Sequence, residues 1–255
     1  ASGYIPKHRL MLVEGSKFHG VELAPDGISL PVGFVLTKKA QAYSLDPKGR
    51  LRSAGAAPYQ LMFPITGEAE VGGKTYYLAA DGKHYPTRDV TRIVAREKPA
   101  EVAADEKWID VDLTTQSLVA YVGDTPVYAT LISSGRVKDE LDPLRNFVTP
   151  VGSFRITSKH LTATMDGDHS IDGPYSIEDV PYVMYFQLAY ALHSAFWHNG
   201  FGRPRSHGCI NLAPTDAKWV FFWATPELPP SWHGVFPTAE KPGTRLYIRG
   251  ETPKG

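Results

Sequence analysis

The chain has one cysteine in 255 residues, so no internal disulfide can form and the fold owes nothing to such a bridge. It has no run of 18 or more apolar residues, which excludes a transmembrane helix. Neither charge dominates. Twenty-seven basic side chains balance 27 acidic ones, which argues against wholesale attraction to nucleic acid or to an acidic membrane. The opening residues Ala1-Ser2-Gly3-Tyr4-Ile5-Pro6 lack a charged segment followed by an apolar one, so they are not a secretory leader. The chain therefore reads as cytosolic or as a mature form. It has no internal repeat and no low-complexity tract.

Hydrophobic residues make up 42% of the chain, enough to build a core. The 23 glycines and 21 prolines suit a β-rich chain with many turns. Residues 1–33 show no clear organisation and read as an N-terminal extension. From 34 to 95, short β-type runs alternate with turn signals. Ala42 to Leu45 precedes the turn Asp46-Pro47-Lys48-Gly49, and Gly72-Gly73 separates two halves of a hairpin. This rhythm resembles a bacterial SH3-like domain, with no motif to carry the likeness further. Residues 96–107 are charged and alanine-rich, the composition of a linker. Beyond them Ile109, Val111 and Leu113 alternate with Asp110, Asp112 and Thr114, which predicts a strand. Leu118–Tyr121 and Val127–Ile132 flank Gly123-Asp124 as the next hairpin. Pro214, Thr215 and Asp216 open a short helix that carries Trp219, Phe221, Phe222 and Trp223 as packing residues. Residues 108–249 thus form a second, mostly β domain, and 250–255 a tail.

The lone thiol, Cys209, lies 16 residues after His193 in a run that also holds His198 and His207. A free thiol has a pKa of ~8.5 and is only slightly ionised at neutral pH. A neighbouring imidazole raises the reactive fraction and stores the proton. His207 is two residues away, and His193 ends an apolar run that an adjacent strand can bring opposite the thiol. Gly208 lets the backbone turn tightly, and successive amides at such a turn can hold an oxyanion. On these grounds the run is either an acyl-transfer site with a cysteine nucleophile or a buried structural cysteine. His193, His198, His207 and Cys209 are zinc-ligand types, but their spacing fits no common zinc pattern. No metal is expected.

Ser206-His207-Gly208-Cys209-Ile210-Asn211, with His193 upstream, resembles the signature of the L,D-transpeptidase catalytic domain family. That signature is a histidine, a variable stretch, then Ser/Thr-His-Gly-Cys-hydrophobic-Asn. Ser133-Ser134-Gly135 and Thr149-Pro150-Val151-Gly152-Ser153-Phe154 also fall in the family's order, and the resemblance covers 108–249. It implies a β-sandwich with a short helix after the motif, and no cofactor. It implies that Cys209 attacks the carbonyl of the third residue of a peptidoglycan tetrapeptide stem. D-Ala leaves, a thioester remains, and an amine of a second stem resolves it as a 3–3 cross-link. His193 corresponds to the base, the Ser194 carbonyl to its orienter, and His207, Gly208 and Cys209 to the wall and oxyanion hole. Asn211 corresponds to a residue that fixes the loop. The substrate class places the protein in the bacterial periplasm or cell envelope.

The same thioester can instead meet water, giving an L,D-carboxypeptidase, an exchange enzyme or a hydrolase that releases an attached protein. A cell-wall-attached protein is a further acceptor. A third reading is a non-catalytic cell-wall binding protein. Around the motif, Tyr182 and Tyr185 are candidates for a cleft wall that binds the stem, and Met184 for the core. Trp197 covers the donor site or packs. Arg203 and Arg205 meet a stem carboxylate or sit in solvent. The turn-rich stretch 157–181 is either a lid over the site or a long hairpin.

Overall fold

The computed structural model describes residues 4, 6, 15–137, 147–167 and 176–253. Its strands form three sheets. The first has six strands, in the order β1 (Val21–Glu22), β11 (Thr125–Leu131), β10 (Ser117–Val122), β9 (Lys107–Asp112), β18 (Arg245–Arg249) and β12 (Gly152–Arg155). The second has five: β16 (Ile210–Leu212), β15 (Tyr190–Ser194), β14 (Ser176–Gln187), β13 (Ser158–Asp166) and β17 (Gly234–Val235). These two sheets and the helix α1 (Pro214–Trp223) enclose one core. The alternation at Ile109, Val111 and Leu113 drives this. All three are fully buried against Met184, Leu192, Ile210 and Leu212 from the second sheet and Val220 and Phe221 from α1.

The third sheet has seven strands. In space they run β4 (Leu51–Ala56), β3 (Gln41–Leu45), β7 (His84–Pro86), β6 (Lys74–Ala79), β5 (Met62–Val71), β2 (Val32–Val35) and β8 (Val90–Ile93). The turns read from the sequence are present. Asp46 Oδ1 accepts the Lys48 and Arg50 amides at 2.9 Å each, and Gly72 and Gly73 take φ of +60° and +71° between β5 and β6. The other face of the six-stranded sheet packs on this unit, where Trp108, Val119 and Tyr121 share a cluster with Val32, Phe34 and Ile93. Asp110 points to that side and is 3% exposed. Arg96 Nη1 at 2.6 Å and Arg249 Nη2 at 2.9 Å pair it, as a buried carboxylate requires.

Two stretches that looked peripheral in the sequence are packed. β1 comes from the stretch read as an extension and adds to β11 at the sheet edge. The charged stretch after residue 95 contributes buried Val102 to the shared cluster, and Glu106 at its end pairs with Arg155 and Arg245. The excursion over 157–181 is largely paired strand, since β13 and β14 run antiparallel from Ser158↔Tyr185 to Asp166↔Ser176. Its tip at 168–175 lies outside the described residues. Among the described residues no helix is long and apolar enough to cross a membrane. That observation has no bearing on β-barrels.

Candidate active site

β15 and β16 run parallel, with Leu192 opposite Ile210, His193 opposite Asn211 and Ser194 opposite Leu212. Leu192, Ile210 and Leu212 are fully buried in the sandwich core. Alternation along a strand then turns His193 and Asn211 to the opposite face, and carries Cys209 to that face as well. This face is the floor of a cleft of about 910 Å³. Met165 and Ile177 of the β13–β14 hairpin line it, as do Trp197 and Tyr190. So His193, 16 residues upstream of Cys209 in sequence, neighbours the strand that follows Cys209 through one parallel strand pair.

His193 is 4% exposed. Its Nδ1 lies 2.9 Å from the Ser194 carbonyl oxygen, so Nδ1–H donates and Nε2 carries the lone pair. Burial holds its pKa down at about 4. Cys209 is half-buried. Its thiol points at the Ala189 carbonyl, 3.7 Å away, and burial pushes its pKa up to about 11. Tyr185 packs beside Cys209, and its own pKa is raised by burial and then by the Cys209 charge. Both His193 and Cys209 are therefore neutral at pH 7.

His207 is placed differently. Its Nε2 accepts from Arg136 Nη2 at 3.1 Å, and its ring meets Phe147 edge-on at 4.5 Å. His207 also lines the cleft. Gly208 has φ of +118°, and a Cβ there would sit 2.5 Å from Tyr190 Cε1. Only glycine meets both conditions. Its N–H donates to Ser206 Oγ at 3.0 Å, and its carbonyl accepts from Thr149 Oγ1 at 2.8 Å. Both bonds hold the Gly208 peptide within the loop. The Asn211 backbone exchanges two 2.9 Å bonds with Ser133.

Other expected residues separate. Tyr185, Trp197 and Arg205 line the cleft. Tyr182 does not, because it has the parity of Met184 and packs on Phe221 at 5.6 Å and Phe222 at 6.0 Å. Arg203 does not either. It reaches away from the cleft to donate from Nη2 to the Leu36 carbonyl at 3.1 Å. On α1 itself Phe222 is 52% exposed, so it is not a core residue. The sequence reading left Arg136 and Thr149 out of the site. Their signal was the Ser133-Ser134-Gly135 and Thr149-Pro150 segments, since Gly135 bridges to Ser206 and Thr149 to Gly208.

Burial of neutral histidines has a consequence for stability. The pKa of His193 is about 4 in the folded protein against ~6.5 unfolded. Below pH ~6.5 the unfolded chain binds the extra proton, so stability is complete above that value and declines as pH falls towards 4. The loss approaches about 3 kcal/mol for this one group. The expected result is a melting midpoint that drops between pH 7 and pH 4, with a shallower drop in His193→Gln. Equal slopes in the two proteins would count against it.

The chain is similar to several known proteins. The YkuD model, described as the L,D-transpeptidase catalytic domain, matches residues 106–248. L,D-transpeptidase 1 of Mycobacterium tuberculosis is 39% identical over 82 residues, 29% of this chain and 32% of that protein. The match thus spans about a third of that relative's length. Among solved structures, the catalytic domain of an E. faecium L,D-transpeptidase is 26% identical, covers 57% of this chain and 98% of that one, and has a TM-score of 0.42. An L,D-transpeptidase from Mycobacterium smegmatis is 18% identical, with coverage of 94% and 100% and a TM-score of 0.41. The family match takes in more than half of the chain, runs from just before β9 into β18, and includes both His193 and Cys209. On that ground the chain belongs to the L,D-transpeptidase catalytic domain family.

Proposed function

We propose that Cys209 is the nucleophile of a peptidoglycan L,D-transpeptidase acting in the cell envelope. The observation that carries this reading is the His193 tautomer. The Ser194 carbonyl holds Nδ1–H, which leaves Nε2 as the acceptor on the face that bears Cys209.

In the first step His193 Nε2 takes the thiol proton while Sγ attacks the carbonyl of the third stem residue. The carbonyl electrons move onto oxygen. With the Gly208 amide committed to Ser206, the Cys209 amide is the donor for that oxyanion. When the carbonyl re-forms, the C–N bond to D-Ala breaks. The imidazolium returns its proton to the departing amine, and a thioester remains. In the second step an amine of another stem attacks the thioester, His193 takes the amine proton, and the thiol is released. The product is a 3–3 cross-link. Arg205 at the cleft wall supplies a cation for a stem carboxylate.

Mass spectrometry after incubation with a carbapenem tests the first step. A covalent adduct on Cys209 is expected, and none on Cys209→Ser. An unmodified wild-type protein would sink the nucleophile assignment. Incubation with purified disaccharide-tetrapeptide tests the second step. Dimers support transpeptidation, whereas tripeptide alone would replace it with carboxypeptidase activity.

A further inference from the structure

Between β15 and β16 the chain forms no strand, and this segment carries Trp197 and Arg205 to the cleft. Main-chain carbonyls that no sheet pairs need other donors. Here three consecutive carbonyls are held by side chains. Ser133 Oγ donates to the Gly200 carbonyl at 3.2 Å. The carbonyls on either side are held from the seven-stranded unit. Gln60 Nε2 donates to the Asn199 carbonyl at 3.4 Å and to the Phe201 carbonyl at 3.2 Å. The Tyr59 hydroxyl donates to the Phe201 carbonyl at 3.3 Å. With two carbonyl acceptors before it, the Gln60 amide can only turn its nitrogen to this segment.

Gln60 occupies a position that disfavours a long side chain. It is the third residue of the turn Pro58–Leu61, closed by the Leu61 N–H on the Pro58 carbonyl at 3.1 Å. Its φ is +64°, where glycine or asparagine is preferred. The turn gains nothing from the glutamine side chain. What that side chain reaches is a segment 139 to 141 residues further along the chain.

The held segment in turn seats Arg205. A Cβ on Gly200 would lie 2.8 Å from Arg205 Cδ and 2.9 Å from its Cζ, so the side chain rests directly on the Gly200 backbone. The main chain of Arg205 is fixed as well. Its N–H donates to the Ser134 carbonyl at 2.9 Å, and its carbonyl accepts from Arg136 Nη1 at 3.0 Å. The side chain itself is exposed and lines the cleft. The Gly200 backbone beneath it therefore sets where the charge stands.

We infer that Gln60 is a positioning residue for the cleft: by holding the Asn199 and Phe201 carbonyls on either side of Gly200, it fixes the seat of Arg205, whose guanidinium takes a carboxylate of the stem peptide. The seven-stranded unit thereby completes the binding site, and Gln60 acts through Arg205 without touching the substrate. The inference rests on the transpeptidase reading for its ligand, but the seating of Arg205 does not.

A double-mutant cycle separates positioning from mere structure. Gln60→Gly removes the amide and relaxes the turn, so its thermal midpoint should stay close to that of the wild type. Gln60→Asn tolerates the same φ and loses only the reach, and it should repeat the result. With disaccharide-tetrapeptide as substrate, either variant is expected to raise KM by about three- to tenfold, the worth of a lost hydrogen bond. The kcat should change little, because the lost contact acts on binding and not on the reacting carbonyl. Arg205→Gln is expected to raise KM by about tenfold, the worth of a hydrogen bond to a charged group. Adding Gln60→Gly to Arg205→Gln should change KM no further, since the two act as one unit. KM effects that multiply in the double variant would overturn the inference, as would a wild-type KM in Gln60→Gly or a fall confined to kcat. NMR relaxation of the Arg205 Nε–H needs no substrate. It should show an ordered side chain in the wild type and a mobile one in Gln60→Gly, and equal order in both would also overturn the inference. A wild type that takes no carbapenem onto Cys209 would instead overturn the transpeptidase reading, and the relaxation data would still decide the seating of Arg205.

Discussion

His193→Gln is expected to slow carbapenem acylation of Cys209 by about 10² to 10⁴ at pH 7, the range that a positioned general base contributes. The thiol is pushed up to about 11, so without a base nearly all of it stays protonated. The residual rate of the variant should therefore climb about tenfold per pH unit between 7 and 10, because only the thiol's own ionisation supplies thiolate. The wild type, which passes the proton to His193, should climb far less. His207→Gln is the contrast: its Nε2 is already engaged by Arg136, so the loss should be smaller by at least one decade. Stopped-time mass spectrometry reads all three proteins. A His193→Gln protein within threefold of wild type, or a His207→Gln protein equally impaired, would move the base away from His193.

Asp216→Ala is expected to lower stability by about 3–5 kcal/mol, the cost of leaving several buried donors without their acceptor. The sequence marks Asp216 only as an acid in the first turn of α1, where the helix dipole favours it. The structure gives it more to do. It is fully buried, and it accepts the Gly20 N–H at 2.8 Å, the Tyr128 hydroxyl at 2.7 Å and the Thr130 hydroxyl at 2.5 Å. Burial raises its pKa, and those three bonds oppose the rise. Alanine leaves all three donors buried and unpaired. Asparagine keeps the oxygen for Gly20 and Tyr128, and the Thr130 hydroxyl can rotate to accept from the new amide. Asp216→Asn should therefore lose much less. Urea denaturation compares the two variants, and equal losses would show that packing, not hydrogen bonding, sets the effect.

The short-range features of this protein were the readable ones. Turns at Asp46 and Gly72-Gly73, the alternation at Ile109 to Leu113 and the helix at Pro214 each depend on neighbours in sequence. The placement of His193 on a strand beside the one that follows Cys209 was also readable, because His193 ends an apolar run. The choice between Tyr182 and Tyr185 was readable in principle. Once Met184 is given to the core, parity gives Tyr182 to the core and Tyr185 to the cleft. What could not be read depends on contacts distant in sequence. Arg136 lies 71 residues from His207 and Gly20 lies 196 from Asp216, and no local pattern announces either. The packing of the six-stranded sheet on the seven-stranded one belongs to the same class. It makes Asp110 a buried ion-pair partner.

The two residues of β1 bear on how the protein can be cut. β11 has β10 on one side and β1 on the other, and Asp216 reaches from α1 to hold the amide of Gly20. A fragment trimmed to 108–249, the span that the motif suggests, would bare a seven-residue strand along its outer rim. Unpaired amides and carbonyls in such a row recruit other chains. It would also strip Phe18 and Leu23 from the cluster around Trp108. The smallest fragment that keeps this edge covered should therefore begin before Phe18 and carry the seven-stranded unit with it.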